Sequence, residues 1–211
     1  MDAEEFKKRW EGADSEARFA LLRDHPEYHI VALNNSALNG DKAMVEHLVI
    51  WEGSTVDIGA NGGDWALINA SRGGHAEIVK LLLEAGVNIF SEGGRALTSA
   101  SALGHAEVVR LLLAAADSDL PEWQFDLYNQ SLPPASSNGH VEIVRMLLAA
   151  GADADAVDGS ALYVASVHGH VEVLRILLEA GAISHAVNDR ILERAEKNGH
   201  AEVVELLRKS R

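Results

Sequence analysis

Histidine and serine are the residues of this chain whose types could support catalysis or metal binding. There are ten histidines and no cysteine, so no thiolate zinc site, disulfide or cysteine nucleophile can form. His168 and His170 flank one glycine, a spacing that would offer two imidazoles to one ion, and Tyr163 and Asp158 lie near in sequence. No third ligand accompanies them, and no metal is expected. A ladder of five Gly-His pairs, His170 among them, weakens the case for a cluster. His75, His105, His140, His170 and His200 each follow a glycine, at steps of 30, 35, 30 and 30 residues. Ligands of one ion all lie about 2 Å from it. Helices one repeat apart sit about 8–10 Å from each other. The ladder therefore cannot converge on one metal.

Serine chemistry needs a base and an orienting acid beside the nucleophile. Ser71, Ser99, Ser101, Ser136, Ser137, Ser160 and Ser166 fall where small residues let helices approach. No nucleophile elbow or phosphate-binding loop is present, and the glycine pairs mark turns. No catalytic residue, cofactor or enzymatic activity is expected.

The elements that position these histidines are helical. After each Gly-His pair comes an apolar run: Ile78, Val79, Leu81, Leu82; then Val108, Val109, Leu111, Leu112; then Ile143, Val144, Met146, Leu147. The last two copies carry Val173, Leu174, Ile176, Leu177 and Val203, Val204, Leu206, Leu207. Apolar residues at i, i+1, i+3 and i+4 define one helix face. Upstream of each glycine stand a leucine and an alanine: Leu67/Ala70, Leu97/Ala100, Leu132/Ala135, Leu162/Ala165 and Leu192/Ala195. They mark a shorter first helix, and the glycine serves the reversal between the two. A degenerate copy precedes these, with Ser36, Gly40-Asp41, Met44, Val45 and Leu48.

One helical pair cannot bury its apolar face alone, but about six stacked pairs share a continuous core. The last pair carries charges on its outer side, Glu193, Arg194, Glu196, Lys197, Glu205, Arg208 and Lys209. The first 27 residues read as two short helices, about 3–11 and 14–24, with Asp14 or Ser15 as N-cap and Pro26 as terminator. The expected organisation is an N-terminal helical cap over 1–27 and one continuous array over 28–211.

The units GHAEIVKLLLEAG, GHAEVVRLLLAAA, GHVEIVRMLLAAG and GHVEVLRILLEAG resemble the ankyrin-repeat family over about residues 28–208. The resemblance implies an all-α ankyrin-type solenoid of about six helix-turn-helix repeats. The usual Thr-Pro-Leu-His opening of the first helix is replaced here, for example by Trp65-Ala-Leu-Ile and Ser160-Ala-Leu-Tyr. The period falls about three residues short of the family's 33. The deletion lies where the family carries a β-hairpin finger, so clipped fingers are expected. In the family the Gly-His histidine makes local hydrogen bonds between repeats, which gives the ladder a structural role.

The family also implies a protein partner bound on the concave side, by the turns before each first helix and the two residues before Gly-His. Carried onto this chain, the candidate partner-binding residues are Trp65, Arg72, Leu103, Trp123, Tyr128, Tyr163, Val167 and His168. Trp123 and Tyr128 belong to an irregularity. The 35-residue step places five extra residues within Asp117–Asn129, followed by Pro133-Pro134, which implies a kink or a shortened helix start. Its aromatics either plug the gap or form a recognition loop. In the packed version Phe125 and Leu127 are buried, while Trp123 or Tyr128 keeps an exposed edge. An alternative function, a small-molecule or enzymatic pocket at 117–135, would need a deep cavity there.

Composition bounds the partner. The net charge is -14, which disfavours phosphate backbones and anionic membranes. No apolar run reaches the roughly 18 residues of a membrane span, and the start has no apolar signal region. A soluble, cytoplasmic, monomeric binder of proteins, not of nucleic acid or membrane, is the expectation.

Overall fold

The computed structural model describes residues 1–50, 58, 63–116, 123–182 and 185–210. Among them are fourteen α-helices and no strand. The chain divides into two compact units, Met1–Asn88 and Ile89–Arg211.

The repeated pair is built from local signals. A first helix ends on a glycine in the left-handed region, as at Gly104 (φ 82°) and Gly169 (φ 77°). The next residue is the histidine, and its backbone N–H reaches back to the alanine carbonyl of the closing turn. His105 to Ala100 and His140 to Ala135 both measure 3.0 Å. This is the six-to-one bond of a Schellman cap, and only glycine adopts the required φ without steric cost. The second helix then buries three positions of its apolar run, such as Ile143, Val144 and Leu147. Each such side chain contributes roughly 1.5–3 kcal/mol of burial.

In the first unit, α1 (Ala3–Glu11) and α2 (Ser15–Asp24) precede a 3-10 turn at Pro26–Tyr28. Asp2 and Asp14 cap them, accepting from the backbone N–H of Glu5 (2.8 Å) and Ala17 (2.9 Å). Buried Phe6 stacks on Tyr28 with centroids 4.0 Å apart. Then come α3 (His29–Asn39), α4 (Lys42–Ile50), α5 (Gly63–Gly73) and α6 (Ala76–Glu84). Asp41, which stands where later copies have histidine, caps α4 by accepting from the Met44 N–H at 3.1 Å. Buried His29 donates from Nε2 to the Leu22 carbonyl at 3.0 Å, tying α3 to α2.

The second unit holds α7 (Ser91–Leu103), α8 (Ala106–Ala114), α9 (Trp123–Ser137), α10 (Val141–Ala149), α11 (Ala156–His168), α12 (Val171–Glu179), α13 (His185–Lys197) and α14 (Ala201–Lys209). The clipped finger takes a specific form here. Glu92, Gly93 and Gly94 are all left-handed, as are Val157, Asp158 and Gly159. Each triplet makes one left-handed turn, closed by Gly94 N–H to Phe90 carbonyl (3.3 Å) and Gly159 N–H to Asp155 carbonyl (3.1 Å). A single tight turn thus delivers the chain into its first helix.

The central irregularity differs from expectation in two respects. The helix start before Pro133-Pro134 is lengthened, not shortened: α9 runs 15 residues with both prolines inside it. Residues from Trp123 onward are therefore helix, while 117–122 lie outside the described residues. The aromatic assignment also changes. Leu127 is buried as expected, but Phe125 is 39% exposed and Tyr128 only 3% exposed. Helical phase explains this. Tyr128 lies four residues before Leu132, so it shares the buried face, whereas Phe125 points off it. Phe125 covers Gly151, where a Cβ would stand 2.8 Å from its ring.

Candidate functional site

The histidine ladder is an inter-repeat hydrogen-bond ladder. In the first unit His75 Nε2–H donates to the Leu38 carbonyl at 2.9 Å. In the second, His140, His170 and His200 donate to the carbonyls of Ala102 (3.1 Å), Ser137 (2.9 Å) and Val167 (2.9 Å). Each acceptor lies two residues before the glycine of the preceding repeat. The ring also packs on that glycine: a Cβ on Gly139 would stand 2.7 Å from His170 Nδ1, and one on Gly169 2.7 Å from His200 Nδ1. Asn138 and Asn198, part of the row before Gly-His, add a second donor each to Ala102 (3.0 Å) and Val167 (2.8 Å). Their amides serve stacking.

His168 and His170 lie nearly parallel, with centroids 6.1 Å apart. His168 donates from Nδ1 to the Val164 carbonyl at 2.8 Å. His170 uses Nε2 for Ser137 and turns Nδ1 onto Gly139. Each of the two histidines thus spends one ring nitrogen on a backbone carbonyl. The serines behave as packing residues. Ser71, Ser101, Ser136 and Ser166 are fully buried, and Ser166 Oγ–H donates to the Leu162 carbonyl at 2.8 Å.

The candidate partner-binding residues sort by unit. Trp65 (43% exposed) and exposed Arg72 sit on α5 of the first unit. Leu103 ends α7 at 54% exposure. Tyr163 and Val167 are half-buried and His168 exposed, at i, i+4 and i+5 of α11. Trp123 begins α9, and its side chain lies outside the described residues. Tyr128 is not available to a partner: burial removes its ring from the surface and pushes its hydroxyl pKa up.

The two helical layers differ in surface chemistry. Among the described residues, seven of the eight exposed large apolar side chains lie on first helices or the turns that enter them: Ile30, Val31 and Leu38 on α3, Trp65, Leu103, Phe125 and Val157. Second helices present paired charges instead. Arg110 meets Glu107 and, at 3.0 Å, Glu142; Arg145 meets Glu172 at 2.8 Å. Lys42 meets Glu77 at 3.2 Å. Such exposed pairs contribute about 0–1 kcal/mol each and chiefly keep that layer solvated.

Of the stretch 117–135 that the alternative reading needs, 117–122 lie outside the described residues, and the described part is closely packed. The enclosed space lined by Phe90, Leu97, Leu112, Leu127 and Tyr128 is about 10 Å³. That is roughly room for one water, against the 300–1,000 Å³ of a small-molecule site.

Helix pairs closed by Gly-His caps and tied through the same histidine define a helical repeat protein of the ankyrin kind. The family model for ankyrin repeats matches residues 33–121 and 134–211, and the chain belongs to the ankyrin-repeat family. A solved structure similar to it is the human ASB11 ankyrin repeat domain, at 29% identity and a TM-score of 0.68, covering 84% of this chain and 82% of that one. No curated protein matches the chain. Ankyrin repeats are generally protein-interaction modules, typically non-enzymatic. No helix among the described residues is long and apolar enough to cross a membrane.

One charged group gathers around a hollow. Arg190, Glu193, Arg194 and Lys197 of α13, with Tyr163, line a space of about 190 Å³. In the sequence its cations stand at i, i+4 and i+7, among the outer charges of the last helical pair, and only the fold sets them around one space.

Proposed function

We propose that this protein is a monomeric, cytoplasmic interaction module that binds a protein partner through the exposed edges of its first helices and the turns before them. Residues 1–27 serve as its cap and 28–211 as its array. The observation that carries the reading is the asymmetry of the layers: exposed apolar side chains gather on first helices, while second helices carry paired charges. Aromatic and apolar anchors dominate binding energy when a partner covers them. Trp65, Leu103, Tyr163 and Val167 are the anchors, with Arg72 and His168 as polar rim and Trp123 as a further candidate. The acidic net charge favours a protein surface over a nucleic acid or an anionic membrane.

Affinity capture from the native host tests this. Wild-type chain retains a stoichiometric protein partner. Trp65→Ala and Leu103→Glu lose it, while Arg145→Glu on a second helix keeps it. Retention by all first-helix variants, together with loss on Arg145→Glu, would place the interface on the wrong layer.

A further inference from the structure

We propose that the hollow between Tyr163 and the exposed edge of α13 is a basic subsite of this face, which takes side-chain carboxylates from an acidic segment of the partner. The proposal rests on the protein-binding reading and names the chemistry at one end of it. Three cations, Arg190, Arg194 and Lys197, stand against one carboxylate, Glu193, around about 190 Å³ of open space. The hollow therefore carries two net positive charges in a chain whose total is -14.

The two arginines are distinguished by what they lack. Other described arginines are engaged: Arg9, Arg18, Arg23, Arg110, Arg145, Arg175 and Arg208 each pair with a carboxylate. Arg72 and Arg95 also have partners. Among the described residues Arg190, Arg194 and Lys197 make no side-chain ion pair or hydrogen bond, and neither does the Tyr163 hydroxyl. With acidic groups in excess, leaving two guanidinium forks and a phenol open around one hollow gives a donor set matched to carboxylates, which Arg binds bidentately.

Size and surroundings select a short acidic segment. The hollow admits one or two side chains. The rest of the molecule repels an extended polyanion, and that repulsion weakens within a Debye length of about 10 Å at 0.1 M salt, while the hollow acts at contact distance.

Fluorescence anisotropy tests the proposal on the full chain at about 0.1 M salt. The probe is a labelled peptide bearing a run of glutamates, with the same peptide in glutamine as control. Binding of the glutamate peptide is expected to exceed that of the glutamine peptide, and to fall about tenfold in Arg190→Gln/Arg194→Gln. Arg145→Gln, on a second helix, should leave it unchanged. Amide shifts in the unmodified protein should map to Tyr163 and α13, a readout that survives if the double variant does not fold. Equal binding of both peptides, equal binding by the variant, shifts elsewhere, or tighter binding of a short oligodeoxythymidine would each overturn the subsite. A host partner that is lost with Leu103→Glu but retained by Arg190→Gln/Arg194→Gln would also overturn it, while leaving the interaction reading intact.

Discussion

At the scale of single residues, the Gly-His pair does two jobs with each partner. The glycine takes a positive φ to close the helix, and its bare Cα gives the next repeat's histidine a place to pack. The two demands separate at the end of the array. A Cβ on Gly169 would meet the His200 ring at 2.7 Å, whereas one on Gly199 would meet nothing within 4 Å, although its φ is 78°. Gly199→Ala should therefore cost only the left-handed penalty, roughly 1 kcal/mol, and Gly169→Ala about 1–3 kcal/mol more. Chemical denaturation of both variants checks this, and equal losses would show that the histidine contact contributes nothing. His170→Ala should cost roughly 1–2 kcal/mol, because the Ser137 carbonyl loses its donor.

At the scale of elements, the left-handed turn is where stability was given up for a short period. Val157 sits at φ 55°, 60% exposed, in a conformation that β-branched residues avoid. Val157→Gly should raise stability by about 0.5–1 kcal/mol despite the greater freedom of glycine in the unfolded chain. A fall in the unfolding midpoint would mean that the side chain makes a contact outweighing its strain.

The N-terminal elements carry a pH dependence. His47 lies against Phe19, with centroids 4.1 Å apart. Burial, and secondarily the charge of His29, hold its pKa below the usual 6.5. The folded state thus binds the proton less readily than the unfolded one. Its contribution is complete above 6.5 and is lost as pH falls through the lowered value. Between pH 7.5 and 5.5 the wild type should lose more thermal stability than His47→Gln. Identical losses would remove His47 from the account.

Much of this was legible in the sequence, and the reasons are local. The Gly-His step, the apolar run and the Asp14 cap are set by nearest neighbours, so α1, α2 and every second helix could be read directly. The burial of the aromatics of 123–128 depends on helical phase, which the sequence leaves open between a gap plug and a recognition loop. Once that stretch is helix, counting back four from Leu132 and Ser131 buries Tyr128 and Leu127. The cations of α13 were seen but not weighed, because only three-dimensional pairing separates a free arginine from one already matched.

At the scale of the whole molecule, each of the two units repeats one division: charges pair on second helices, and exposed apolar side chains gather on first helices. The central claim is that a partner covers the first helices. Hydroxyl-radical footprinting of the chain with saturating partner tests it most directly, since the reagent reports side chains on both layers in one experiment. The account predicts that Trp65, Leu103 and Tyr163 lose reactivity, while Leu81, Leu111 and Met146 on second helices keep theirs. Protection of the second-helix side chains with the first-helix anchors unchanged would contradict it.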